Sequence, residues 1–113
     1  MLAAFSFKAK PGREREFESL LNNPDSARAV AKAMGATRNA LFLKNGRMIR
    51  ILDIPEGSKP VSLAEVAKRD PRVADFLRKL GPLIEDGFDY DRPETLEAFN
   101  QRITFSTAYD VRV

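Results

Sequence analysis

The spacing of apolar residues changes several times along the chain, and each change marks an element. Leu2 to Lys8 is a β-prone run without Gly or Pro, which predicts a first strand ended by Pro11-Gly12. From Arg13 to Leu21 the apolar residues Phe17, Leu20 and Leu21 fall at helical spacing among charges, predicting an amphipathic helix. Asn22-Asn23-Pro24-Asp25 interrupts it, and Ser26 to Met34 resumes with Ala27, Val30, Ala31 and Met34 on one stripe. Gly35 suits a C-cap, so the crossover reads as a helix in two pieces.

Thr37 to Ile54 carries the sharpest local signal. Two runs rich in Leu, Ile and Phe meet at Asn45-Gly46, and a two-residue Asn-Gly connection favours a hairpin because both turn positions need positive φ. A two-residue loop sets Phe42 opposite Ile49 and Arg38 opposite Asp53. Opposed residues share a sheet face. One face then holds Arg38, Ala40, Phe42, Ile49, Ile51 and Asp53; the other holds Asn39, Leu41, Leu43, Met48, Arg50, Leu52 and Ile54. Both faces are apolar in the middle, so the hairpin is expected to be covered on each side, by helices on one and by a second copy of the chain on the other.

Beyond the hairpin, Pro55 to Pro60 reads as a polar loop. Ser62-Leu63-Ala64-Glu65 has capping-box spacing, in which hydroxyl and carboxylate both satisfy free N–H groups at a helix start. Asp70-Pro71 opens a further helix with Val73, Phe76, Leu77 and Leu80 as its buried stripe, and Gly81-Pro82 stops it. Leu83 to Arg92 has no clear period. Its acids fail the calcium-loop pattern, because ligand positions fall on Phe88, Tyr90 or Pro93. Pro93 opens a last helix with Leu96, Phe99 and Ile103 inward, and Ile103 to Tyr109 is expected to be a strand from its β-branched and aromatic content. The order is β-α-β-β-α-β, that of a ferredoxin-like α+β sandwich, expected as a single domain over residues 1–113.

Composition narrows the chemistry. The chain has no Cys and no His, which removes disulfides, thiolate catalysis, Cys/His zinc sites and His-based proton transfer. Its net charge of +3 is modest, and the Lys and Arg are interleaved with acids rather than gathered in the patch that nucleic-acid binding needs. Nor does the hairpin carry the aromatic motif of an RNA-recognition strand. With no long apolar run and no basic leader, a cytoplasmic protein without membrane or nucleic-acid partners is expected.

At Phe42-Leu43-Lys44-Asn45-Gly46 followed by Arg50, Asp53 and Gly57, with Asp91, Pro93 and Phe99 downstream, the chain resembles the SchA/CurD-like family of bacterial aromatic polyketide and spore-pigment pathways. The resemblance runs nearly end to end, from Phe5-Ser6-Phe7 and Pro11-Gly12 to the helix at Pro93. It implies a dimeric α/β barrel, similar to small polyketide cyclases and cofactor-free antibiotic-biosynthesis monooxygenases. It also implies a polyketide intermediate as ligand, no cofactor, a homodimer, and polyketide synthase components as possible partners.

Among the residues themselves, Arg50 stands out. A guanidinium in mid-strand on an otherwise apolar face is either paired to a helix carboxylate or positioned for a ligand. In the second case it polarises a substrate carbonyl with Asn39, diagonal to it, as a second donor, and Arg50 is a catalytic candidate for enolate stabilisation in aldol-type ring closure. Arg38 and Asp53 are expected to form a cross-strand ion pair; in a cleft, Asp53 becomes a candidate base held ionised by Arg38. Phe42, Tyr90, Tyr109 and Phe105 are candidates to stack on a flat substrate, although aromatics at such spacings also build cores. Two other functions remain open: a cofactor-free monooxygenase, and a module that binds an intermediate or a synthase component without catalysis.

Overall fold

The computed structural model describes residues 1–113. Strands β1 (Leu2–Lys8), β2 (Arg38–Lys44) and β3 (Arg47–Asp53) form one antiparallel sheet in the order β1-β3-β2. The hairpin register is the one the Asn-Gly turn predicts, with Phe42 opposite Ile49 and Arg38 opposite Asp53. Asn45 and Gly46 take φ of 50° and 77°. At Gly46 a side chain is excluded twice over, because a Cβ would also run into Glu14.

The first crossover is two helices, α1 (Glu14–Leu21) and α2 (Pro24–Met34). Asn23 makes the break productive: its side chain accepts a hydrogen bond from the Ser26 N–H at 3.1 Å while Pro24 fills the first helical position, where no N–H is needed. Gly35 closes α2 in the left-handed region. The second crossover comprises α3 (Leu63–Arg69), α4 (Pro71–Leu80) and α5 (Pro93–Ile103). Ser62 caps α3 through the Glu65 N–H at 3.2 Å. The reciprocal half of the box is absent, because the Glu65 carboxylate turns outward to Lys68 at 3.0 Å. Asp70 caps α4 through the Arg72 N–H at 3.0 Å.

Helices cover one face of the sheet only. Phe7 and Met48 on that face join Phe17, Leu77, Ile84, Leu96 and Phe99 in a single core cluster. Edge-on and tilted aromatic contacts run through it, from Phe17 to Phe7 (5.7 Å between ring centres), Phe7 to Phe99 (5.3 Å) and Phe99 to Phe88 (5.0 Å). The opposite face is bare, leaving Phe42 57% and Ile49 42% exposed.

The irregular stretch after α4 is firmly anchored. Ile84 is fully buried and bridges Ala9, while backbone bonds join Lys10 to Leu83 and Glu85 to Lys8. A Cβ on Gly81 would strike the Phe88 carbonyl and one on Gly87 the Gly81 carbonyl, so these segments lie backbone against backbone. Its acids are dispersed: Glu85 pairs with Lys8 at 2.9 Å and Asp91 with Arg78 at 3.2 Å.

The expected strand from Ile103 to Tyr109 is a correction. Ile103 is the last residue of α5, and only Thr104 bridges Phe5, with the Phe105 N–H bonded to the Ala4 carbonyl at 3.0 Å. From there the segment carries no further pairing, and Phe105 and Tyr109 are 61% and 81% exposed. β-branched and aromatic content favours a strand only where a packed surface receives the side chains, and none does so here. The fold is a ferredoxin-like α+β sandwich whose fourth strand is reduced to one bridge beside β1. No helix is long and apolar enough to cross a membrane.

Candidate active site

Arg50 occupies the middle of the central strand β3, between Phe5 of β1 and Leu41 of β2. Strand alternation turns it toward the helices together with Met48 and Leu52, both buried. It therefore enters a space of about 230 Å3 between the sheet and the helical layer. Val30 and Met34 of α2 and Phe76, Leu77 and Leu80 of α4 supply much of the apolar wall. Phe88, Leu96 and Phe99 carry it to the aromatic core.

Nothing in the protein answers the guanidinium. Its Nε is shut off from solvent and has no hydrogen-bond partner. Burial pushes its pKa down from the ordinary value, and no counter-charge acts in the other direction. An arginine keeps its proton at neutral pH even so. The paired alternative, a salt bridge to a helix carboxylate, is not what is found.

Asn39 is the second unsatisfied group in the same cavity. Its Nδ2 donates to the Ala27 carbonyl of α2 at 3.1 Å, leaving Oδ1 buried without a partner. A carbonyl accepts and cannot donate, so this contact fixes which atom of the amide is the nitrogen and which the unpartnered oxygen. One amide hydrogen of Asn39, expected as a second donor, is therefore already engaged, and the atom left buried without a partner is an acceptor. Ser62, Asn100 and Thr104 complete the polar lining, and no carboxylate, lysine or tyrosine joins them. The hydroxyls have local work, Ser62 capping α3 and Thr104 donating to the Asn100 carbonyl at 2.6 Å.

The other expected site residues lie elsewhere. Asp53 is on the bare face, and no Arg38–Asp53 ion pair forms despite the correct register; the Met1 ammonium is 3.7 Å from the Asp53 carboxylate instead. Arg38 lines a larger trough of about 650 Å3 between α2 and β2, together with Arg28 and Lys32. That trough is a surface feature without a buried unpaired charge, so the interior space is the better candidate. Phe42 is on the bare face and Tyr109 is in the exposed C-terminal segment. Tyr90 packs beneath Arg78, 5.0 Å from guanidinium carbon to ring centre, outside the cavity. The site thus keeps Arg50 and Asn39 and does not bring Arg38, Asp53, Phe42, Tyr90 or Tyr109 to them.

The helical walls were read from sequence as core stripes, and they are that as well. What periodicity could not say is that Val30, Met34 and Phe76 stop short of closing over Arg50.

Comparison with known families adds the context of this geometry. The profile of the SchA/CurD like domain matches residues 1–111. The chain belongs to the SchA/CurD-like family. Membership associates this SchA/CurD-like protein with polyketide-related biosynthesis. No curated protein matches it.

Proposed function

We propose that this protein is a cofactor-free cyclase that acts on a poly-β-ketone or aromatic polyketide intermediate, with Arg50 as its catalytic residue. The observation that supports this is the unpaired Arg50 guanidinium in an otherwise apolar cavity. In such surroundings a fixed cation stabilises negative charge far better than it does in water, and it needs no reorganisation when that charge forms.

Ring closure of a poly-β-ketone proceeds through an enolate. A proton leaves the carbon between two carbonyls, its electron pair spreads onto oxygen, and the enolate carbon attacks a second carbonyl carbon. A carbon–carbon bond forms, and the attacked oxygen takes a proton. Arg50 donates hydrogen bonds to the oxygen on which charge develops. Because no carboxylate or other protein base lines the cavity, water or the substrate itself carries the proton. Loss of the new hydroxyl with a hydrogen from the adjacent carbon, as water, flattens the ring, and the apolar walls of Phe5, Phe76 and Phe99 suit that flat product.

The missing base is also the specific observation that favours the second reading, a module that binds an intermediate without catalysing its closure. The experiment that separates them follows disappearance of a synthetic poly-β-ketone with wild-type protein and with Arg50→Met. The cyclase reading expects acceleration by the wild type and a loss of about 10²-fold or more in the variant, the size seen when an oxyanion donor is removed. Binding by the wild type with no acceleration sinks catalysis and leaves the module.

The reading includes a homodimer. Leu2, Ala4, Ala40, Phe42, Ile49 and Ile51 form an apolar field on the bare face, flanked at one end by Lys8, Lys44 and Arg47. A second copy laid sheet to sheet covers that field, and a stable pair of this kind buries at least ~1,200 Å2 in total. Light scattering at micromolar concentration tests it, and a monomer there rejects it.

A further inference from the structure

The two unsatisfied groups of the cavity differ in kind, and their spacing constrains what can satisfy both. Arg50 has donors and no acceptor; Asn39 has a buried acceptor, Oδ1, without a partner, while one of its two amide hydrogens is taken by the Ala27 carbonyl. A ketone alone answers only Arg50. A ligand that satisfies both carries an acceptor oxygen and, separately, a hydroxyl.

Register sets the separation. Asn39 is opposite Leu52 and Leu41 is opposite Arg50, so Asn39 and Arg50 are diagonal neighbours on one face, about 7–8 Å apart at the backbone. An open-chain 1,3-diketone presents its two oxygens side by side in its enol form, and the enol hydrogen is held between them. That hydrogen is unavailable to Asn39. Closing the ring turns the two oxygens apart and frees the hydroxyl.

Resting on the cyclase reading of the same cavity, we propose that the site recognises a ring already carrying oxygens in a 1,3 relation, a resorcinol-type unit. One oxygen accepts from Arg50 and the other donates its hydrogen to Asn39 Oδ1. The size of the space agrees: about 230 Å3 is below the ~300 Å3 at which pockets begin to take whole drug-sized ligands. One or two fused rings enter, and a longer polycycle extends out of the cavity. Asn39 is then the specificity-determining residue and Arg50 the affinity-determining one.

The chain has no Trp, so the fluorescence of a naphthol ligand can be titrated directly. The probes are 1,3-dihydroxynaphthalene, its dimethyl ether, which keeps the acceptor oxygens and loses the donors, and open-chain 1-phenylbutane-1,3-dione. Wild-type protein is expected to bind the diol at least about ten-fold tighter than either comparator, the step expected for one buried hydrogen bond. Asn39→Leu is expected to bring diol and ether to equal affinity, and Arg50→Met to weaken both. Equal binding of diol and ether by the wild type overturns the role of Asn39, and if Arg50→Met still weakens both, the ligand-binding role of Arg50 on which the cyclase reading rests is untouched. Equal binding of the open-chain dione overturns the requirement for a closed ring. Failure of every probe to bind overturns both the inference and the reading beneath it. The wild-type comparisons need no variant, so misfolding of Asn39→Leu leaves the test intact.

Discussion

Arg50→Met should make the protein more stable and less active at the same time. Met keeps the length and apolar contacts of the arginine stem among Phe5, Leu41, Met48 and Leu52 while deleting a charge that nothing pairs. A buried donor without a partner costs about 1–3 kcal/mol. The outer nitrogens can meet water within the cavity, so the lower end applies, and relief of about 1 kcal/mol raises Tm by roughly 4–8 °C in a domain of this size. An activity loss of about 10²-fold or more accompanies it if Arg50 meets developing negative charge. Calorimetry of both proteins without ligand, beside their rates on a poly-β-ketone, makes the check. A variant that melts several degrees lower refutes the reasoning, because it shows that Arg50 makes structural contacts. A variant that melts higher yet keeps its rate refutes the catalytic role alone.

Asn23→Ala removes the side-chain cap of α2 and is expected to cost about 1 kcal/mol, read as a drop in Tm. Phe42→Lys places a charge in the middle of the bare face and is expected to give a folded monomer in light scattering, with the circular dichroism of the wild type. Asp70 and Glu16 have carboxyl pKa values below the ordinary range, because hydrogen bonds from Arg72 and Arg13 respectively favour their charged forms. Their contribution is present above the unfolded carboxylate pKa of about 4 and disappears as pH falls through the lower folded values. Asp70→Asn with Glu16→Gln should therefore flatten the fall of Tm below about pH 4, and an unchanged acid profile contradicts this.

How much of this was legible in the sequence follows from which interactions are local. The Asn45-Gly46 turn and the alternation around it need only neighbours along the chain, and they gave the register and both face assignments. Arg50 was legible for the same reason, as one cation on an apolar face. The state of Asn39 was not, because it depends on the Ala27 carbonyl of a helix that sequence periodicity cannot position against the strand. Asp53 and Arg38 were correctly opposed, yet opposition fixes backbone neighbours and leaves exposed side chains free to find other partners. The missing fourth strand has a similar cause: Ile103 to Tyr109 has the composition of a strand, and composition says nothing of whether a surface awaits it.

The Gly81–Gly87 contact decides which parts of the cavity can change over generations of substitution. A side chain at either position wedges two backbones apart and draws Phe88, part of the wall, away from Phe99. That end of the chamber is in effect a fixed floor, closed to gradual remodelling. Val30, Met34 and Phe76 approach from α2 and α4 with partly exposed side chains, where exchanges among Val, Leu, Met and Phe alter volume at modest cost. Variation in ligand shape within one scaffold is thus channelled to the helical roof, and a library aimed at new ligands belongs at those three positions.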